Sequence, residues 1–301
     1  MPEDFFLRDE PMGTARPARP SLSMGCPAAP FVPTSAKRPH WVLLGPRAAL
    51  RGVHRHSVLG TPMVSFEGAP GDELFVADEA CPHRGASLAR GEVRGSCLVC
   101  PYHGGELGVM THPARFFDYA SHSGLVWVDL ARRVFAQHHP PPRPPAPASW
   151  TADYVTVVPA HPMAVVESLL TVTSLGGARV EGGPLGRASW TDGGVHVRVW
   201  YEVPYTACVE STVDGRSTSA WLSVTPLDDG VTRVHARVSR TDEEDGPDLG
   251  LWRNLSSAGP LRGLLYSWDG ALRVDEDVLV AEYRKAVRET FPDLAAYWGL
   301  T

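Results

Sequence analysis

The sequence predicts an α+β protein: an N-terminal all-β unit followed by an antiparallel sheet that carries helices. The first half consists of short apolar runs broken by Gly, Pro and Asp. The second half opens with strands of alternating apolar and polar residues and closes with an amphipathic helix. Between them lies "HHPPPRPPAPAS", residues 138–149, whose prolines can neither donate to a ladder nor continue a helix, so it reads as a stiff connector and domain boundary.

Taken in order, residues 1–38 are rich in Pro, Arg and Ser without periodicity and read as an extended N-terminal arm. Residues 39–137 carry runs such as "PMVSF", "ELFVAD" and "GLVWVDL", the pattern of a small β unit. Residues 150–301 begin with strands such as "VHVRVWYEV" and "VTRVHARVSR", joined by "TDGG", "VDGR" and "DDG", which supply turn chemistry for a twisted meander. Residues 274–289 then read as a helix, with Val274, Val278 and Ala281 on its apolar face and acids early, bases late, as the helix dipole favours. No internal repeat is visible.

With 301 residues, 43% of them hydrophobic, the chain can bury cores for two domains. A net charge of −6 and the lack of a Lys/Arg cluster argue against nucleic acid or an anionic membrane as partner. No apolar stretch reaches about 18 residues, and no signal-like run opens the chain, so a cytoplasmic, non-spanning protein is expected. Of five cysteines, Cys81, Cys97 and Cys100 crowd together in a way that suits metal ligation in a reducing compartment.

That crowding belongs to "CPHRGASLARGEVRGSCLVCPYHG", residues 81–104: Cys-x-His, sixteen residues, then Cys-x-x-His. Thiolate and imidazole together suit zinc or an iron–sulfur cluster. Zinc fingers usually place both cysteines first and both histidines after. Here each loop contributes one of each, which a two-iron cluster needs when one iron takes two thiolates and the other two imidazoles. Cys97 also forms Cys-x-x-Cys with Cys100, a spacing that would suit a redox dithiol, but a ligating Cys100 leaves Cys97 as a packing residue on the entering strand.

"CPHRGASL" and "CPYHG" resemble the two ligand loops of Rieske proteins. The resemblance implies a [2Fe–2S] cluster with Cys81 and Cys100 on one iron and His83 and His103 on the other. Neutral imidazoles make such a centre easier to reduce, with potentials of about −150 to +300 mV against roughly −400 mV for plant-type ferredoxins. Pro82, Gly85, Pro101 and Gly104 would let the loops turn tightly. The extra cysteines that follow each ligand pair in the respiratory and photosynthetic complexes are replaced here. "LGTPMVSF", "VADEACPHRGASLARGEV" and "SGLVWVDL" also resemble strands of the Rieske domain in the α subunits of Rieske non-haem iron oxygenases. Where that family usually has Trp after the second loop's His-Gly, this chain has Gly105 and Glu106.

In that family a helix-grip domain holds a mononuclear iron by two histidines and a carboxylate, leaving positions open for oxygen and substrate. "VPAHPMAVVESLLTVTSLGGARVEGG" is similar to the iron-binding helix, with Glu167 in place and Ser168 where Asn is usual. The bridging Asp then falls at Thr171, the two histidines fall at Ser174 and Arg179, and Asp277 alone keeps a place as third ligand. Residues 150–301 contain only His161, His196 and His235, so no pair at one-turn helical spacing exists in any register. His196 and His235 fall on the polar phase of their strands and read as surface residues, His161 as a helix-entry residue, and His138 and His139 as part of a solvated connector.

The resulting expectation is a Rieske electron-transfer protein of oxygenase architecture without the usual triad, so that mononuclear iron is doubted. The alternatives are an oxygenase with an unconventional iron site and a cluster-containing binding module. The resemblance implies an electron-donating reductase or ferredoxin, a small hydrophobic ligand in the C-terminal domain, and a homo-oligomer, trimers being common.

Overall fold

A computed structural model describes residues 40–69, 73–131, 140–145, 149–171, 179–192, 194–227, 230–241 and 278–300. The N-terminal arm, His138, His139, Ser174 and Asp277 lie outside these residues, as does the start of the predicted terminal helix.

The N-terminal unit is all β. Strand β1 (Trp41–Pro46) is followed by β2 (His54–Val58), β3 (Thr61–Gly68) and β4 (Glu73–Asp78), which pair as an antiparallel meander. Three short strands, β5 (Glu92–Arg94), β6 (Cys97–Val99) and β7 (Glu106–Gly108), form a second small sheet, β5 and β6 lying between the two ligand segments and β7 following the second. Finally β8 (Asp118–His122) and β9 (Leu125–Asp129) return to pair with β1 in the order β1-β9-β8.

The C-terminal unit is a seven-stranded antiparallel sheet in the order β10-β16-β15-β14-β13-β12-β11. Its strands are β10 (Trp150–Val158), β11 (Arg179–Glu181), β12 (Leu185–Asp192), β13 (Val195–Glu202), β14 (Thr206–Val213), β15 (Arg216–Pro226) and β16 (Thr232–Arg240). Helix α1 (Pro162–Thr171) follows β10, and α2 (Val278–Thr290) and α3 (Pro292–Tyr297) close the chain.

Period-two alternation gives this sheet two apolar faces. On one, Val199, Tyr201, Val209, Leu222, Val234 and Ala236 pack under Val166 and Leu170 of α1 and Tyr283 and Val287 of α2. The buried stripe of α2 is Leu279, Val280, Tyr283, Ala286, Val287 and Thr290. This corrects the expected stripe: Val278 is 62% exposed, because the bulkier set repeats at helical spacing about a different line. Glu167 of α1 receives Arg284 of α2 through both oxygens, at 2.7 and 2.9 Å, which fastens the two helices side by side.

On the other face, cross-strand pairing aligns Trp200 with Cys208, Cys208 with Trp221, and Trp221 with Arg237. The N-terminal sheet covers this row: Trp41, Leu43, Leu125 and Trp127 join Trp200, Cys208 and Trp221 in one apolar cluster. Trp127 and Trp221 meet edge to face at 6.0 Å, an arrangement worth about 0.5–1.5 kcal/mol beyond burial. A register shift in β1 between Leu43 and Gly45 interrupts its ladder, and the Leu43 carbonyl accepts from Thr225 and Arg233 of the opposite sheet at 2.7 and 3.1 Å.

Coverage of this second face overturns the surface reading of His235. It is 3% exposed, shares a hydrogen bond with Asp153 at 3.1 Å, and lies beside Trp221. Burial lowers its pKa despite the Asp153 carboxylate. Arg237 grips the same carboxylate at 2.7 and 2.8 Å and reaches the Ser123 carbonyl of the N-terminal unit at 3.2 Å. His196, in contrast, is exposed as expected. The connector also differs from expectation. Pro141, Pro142 and Pro144 are buried, since proline rings offer apolar surface that packs against the rest of the fold.

Two expectations for stability follow from these contacts. His40 hydrogen-bonds the Tyr205 hydroxyl at 2.8 Å, and desolvation holds its pKa down at about 3. Desolvation likewise holds His56 and His161 at about 4, with Arg233 adding to the effect at His56. The unfolded chain takes up protons below about pH 6.5 that these folded histidines refuse, so stability is full above that pH and falls toward pH 4. Urea midpoints should decline over that window, each histidine contributing up to about 1.4 kcal/mol per pH unit. Arg284→Gln should leave the Glu167 carboxylate, 9% exposed, without its cation. Because the arginine itself is 33% exposed, the loss should fall near the low end of roughly 3–5 kcal/mol in chemical denaturation. Adding Glu167→Gln should recover part of it.

Candidate metal centre

The four predicted ligands come together at one end of the N-terminal unit, and the two loops that carry them are conformational copies. In the first, the Cys81 N–H donates to the Ala86 carbonyl at 2.8 Å and the Cys81 carbonyl accepts from Gly85 at 2.8 Å. In the second, the Cys100 N–H donates to Gly105 at 2.8 Å and the Cys100 carbonyl accepts from Gly104 at 3.1 Å. The partners stand at the same offsets from each cysteine. Each loop has Pro immediately after Cys and a left-handed glycine, Gly85 at φ 71° and Gly104 at φ 68°. A side chain is strained in that conformation, which is why both loops need Gly there.

Facing each other, the copies sort their ligands by type. The thiols of Cys81 and Cys100 are both 3% exposed and lie within hydrogen-bonding reach of one another. The His83 and His103 rings are solvent-exposed, 5.5 Å apart and nearly perpendicular at 85°. Thiols therefore point inward and imidazoles outward. The Cys100 thiol is held below its ordinary pKa chiefly by the Tyr102 backbone N–H, aided by Cys81 and the His103 N–H, while burial opposes the shift. Backbone donors of this kind favour the thiolate that a metal requires.

Among the described residues, no three His, Cys, Asp or Glu side chains converge on a point suited to one ion. Thiol beside thiol and imidazole beside imidazole match the donor set of a two-iron cluster with mixed ligation, so the residues present fit that group. Cys97 is half-buried on β6, its sulfur crowding Gly108 so closely that an added Cβ there would lie 2.7 Å away, as befits a packing residue.

A feature not anticipated from the sequence sits under the first loop. Glu79 is buried; its Oε1 accepts from Ser87 at 2.5 Å and its Oε2 from Arg55 at 2.8 Å. The only sequence signal was an acid two places before Cys81, a position equally suited to a solvated strand end.

The second predicted site is only partly within the described residues. Thr171 is the last residue of α1, and Arg179 begins β11 with its guanidinium 86% exposed. Ser168 is buried and donates to the Val165 carbonyl at 2.7 Å. His161 accepts the Met163 N–H at 3.3 Å and meets Trp298 at 4.9 Å, a helix-entry role.

Residues 40–115 match the Rieske [2Fe-2S] domain. The oxygenase component of a 3-ketosteroid-9-alpha-monooxygenase from Rhodococcus rhodochrous is 44% identical over 50 residues, 17% of this chain and only 13% of that protein. Ferredoxin CarAc of Metapseudomonas resinovorans is 39% identical over 41 residues, 14% of this chain and 38% of the ferredoxin. The alignments thus span well under two thirds of these relatives. Similarity of fold extends further. The crystal structure of apo dicamba monooxygenase superposes with a TM-score of 0.64 at 17% identity, covering 87% of this chain and 99% of that one. NdmA of Pseudomonas putida CBB5, in a mutant bound to caffeine, gives 0.62 at 18% identity, covering 86% and 94%. The twin loops therefore belong to a Rieske [2Fe–2S] domain, carried on the fold of the Rieske oxygenase alpha subunits.

Proposed function

We propose that the chain is a Rieske electron-transfer oxidoreductase in which Cys81 and Cys100 hold one iron, His83 and His103 hold the other, and the C-terminal unit lacks the usual mononuclear iron triad. The observation that carries the ligand assignment is the sorting of side chains by type, with buried thiols side by side and exposed imidazoles side by side. A cluster bound there accepts and passes single electrons. The chain's own residues shape that exchange: the fold shields the thiolates from water, and the outward imidazoles offer the shortest approach for a partner. Tyr102, 67% exposed and adjacent in sequence to His103, gives an electron-donating reductase or ferredoxin an aromatic surface to meet beside the imidazoles.

Support for a missing triad comes from the histidines. His161 caps α1, His196 is exposed on β13, and His235 is paired with Asp153 between the two sheets. None is near another in sequence, and Arg179 brings permanent positive charge to a place where the resemblance calls for imidazole. The boundary between the units is placed in the connector 138–149, with the Rieske unit at 39–137 and the helix-grip unit at 150–301. Similarity of fold over most of the chain favours a second reading, an oxygenase that acts on a small hydrophobic molecule through an unconventional iron site.

Purified anaerobically, the protein should be coloured and, once reduced, give the rhombic electron paramagnetic resonance signal of mixed Cys/His ligation. Cys81→Ala should abolish that signal and Cys97→Ala should keep it; a colourless zinc protein would end the assignment. Iron and acid-labile sulfide should be present in equal amounts, and added Fe(II) should not elicit coupled hydroxylation of small aromatic or alicyclic compounds. Iron in clear excess over sulfide, lost in Asp277→Ala, would establish the oxygenase instead.

A further inference from the structure

Glu79 is a buried carboxylate at the neck of the first ligand loop. The neck is already closed by the backbone: the Glu79 carbonyl accepts the Leu88 N–H at 2.9 Å, and Ala80 bridges Ser87. A neutral amide in place of Glu79 could still meet both partners, its oxygen accepting from the Arg55 guanidinium and its NH2 donating to the Ser87 hydroxyl, though without the added strength of a charged acceptor. Closing the loop therefore explains the position of the side chain but not its charge, which is costly to bury. The two partners of the ion pair are also unequally shielded, Glu79 being 9% and Arg55 65% exposed. Solvent screens the guanidinium more than the carboxylate, so the pair leaves a net negative field inside the loop.

We propose that Glu79 is a positioning residue for the cluster. Its carboxylate fastens the first ligand loop through Ser87 and, with Arg55 as an outer counter-charge, sets the negative field against which the cluster is reduced. The inference rests on the ligand assignment above and assigns two residues outside the ligand loops, Glu79 and Arg55, a graded and opposite influence. Reduction brings one electron, and so one negative charge, onto a cluster bound in part by Cys81, two residues from Glu79. A fixed negative charge there holds the potential down, and a fixed positive charge raises it.

The test is a redox titration, followed by electron paramagnetic resonance at fixed pH, of the full chain with its assembled cluster. Glu79→Gln should shift the midpoint upward and Arg55→Gln should shift it downward by less, both with wild-type iron and sulfide content. Trypsin cleavage after the exposed Arg84, read from fragment masses, should be no faster in Glu79→Gln than in wild type, but faster in Glu79→Ala. A purely structural role predicts no opposed shifts, so unchanged midpoints, or shifts of the same sign, overturn the proposal. Should Glu79→Gln fail to retain the cluster, Arg55→Gln decides: a downward shift supports the proposal and an unchanged midpoint overturns it. A mixed-ligation signal that survives in Cys81→Ala would instead mark failure of the ligand assignment.

Discussion

A seven-stranded sheet with alternating residues has two faces to bury, and much of this molecule is organised by how both are covered. Helices α1 and α2 take one face, with Glu167 and Arg284 holding them together. The other face would leave Trp200, Cys208 and Trp221 in water; the N-terminal β1-β9-β8 sheet covers it. The apolar core therefore runs without a break from Val42 and Val126 to Val199 and Tyr283. Two backbone carbonyls in the seam are satisfied across it, that of Leu43 by Thr225 and Arg233 and that of Ser123 by Arg237. An unpaired carbonyl there would incur the full cost of desolvation.

The ligand loops rest on a separate apolar cluster of the N-terminal unit, in which Cys81, Leu88 and Cys100 pack with Phe66, Phe75 and Phe116. Their geometry is local. Each is a tight turn drawn together by two backbone hydrogen bonds at matching offsets, and each uses a left-handed glycine to reverse direction. Two copies facing each other place like donors together, which is what an asymmetric two-iron cluster requires. Strands β5 and β6 lie in the chain between them, and β7 leaves the second loop to pair with β6 in the same small sheet. Rigid strands under short loops hold ligands more closely than long loops could, so preorganisation of this site follows from the economy of its connections.

The fold is similar to that of dicamba monooxygenase over most of the chain, and several of the polar residues described in the C-terminal unit are engaged in structural contacts. Glu167 neutralises Arg284, His161 caps a helix, and His235 with Arg237 anchors Asp153 in the seam. A shared fold can host different chemistry, so the sheet and helices speak to packing, while activity has to be argued from the side chains.

How much was legible in the sequence depended on the range over which each feature is determined. The α+β class and the Rieske loops rest on patterns closed within a few residues: alternation along a strand, Cys-Pro and His-Gly in a turn. Spacing of this kind survives any tertiary arrangement. Strand phase, however, says only that His235, Arg237 and their neighbours share a face; whether water or another sheet lies beyond it depends on residues over a hundred positions away, such as Ser123 and Trp127. The stripe of α2 was misread for a related reason, since several lines of apolar residues run along that helix and only its neighbours select Leu279, Tyr283 and Val287. Glu79 was illegible because an acid at a strand end is ordinarily solvated, and it took the fold to bring Arg55 from β2 and Ser87 from the loop around it. Local spacing thus fixes which donor types stand together in the two loops, while tertiary structure decides which charges are buried, because burial depends on what the rest of the chain lays over them.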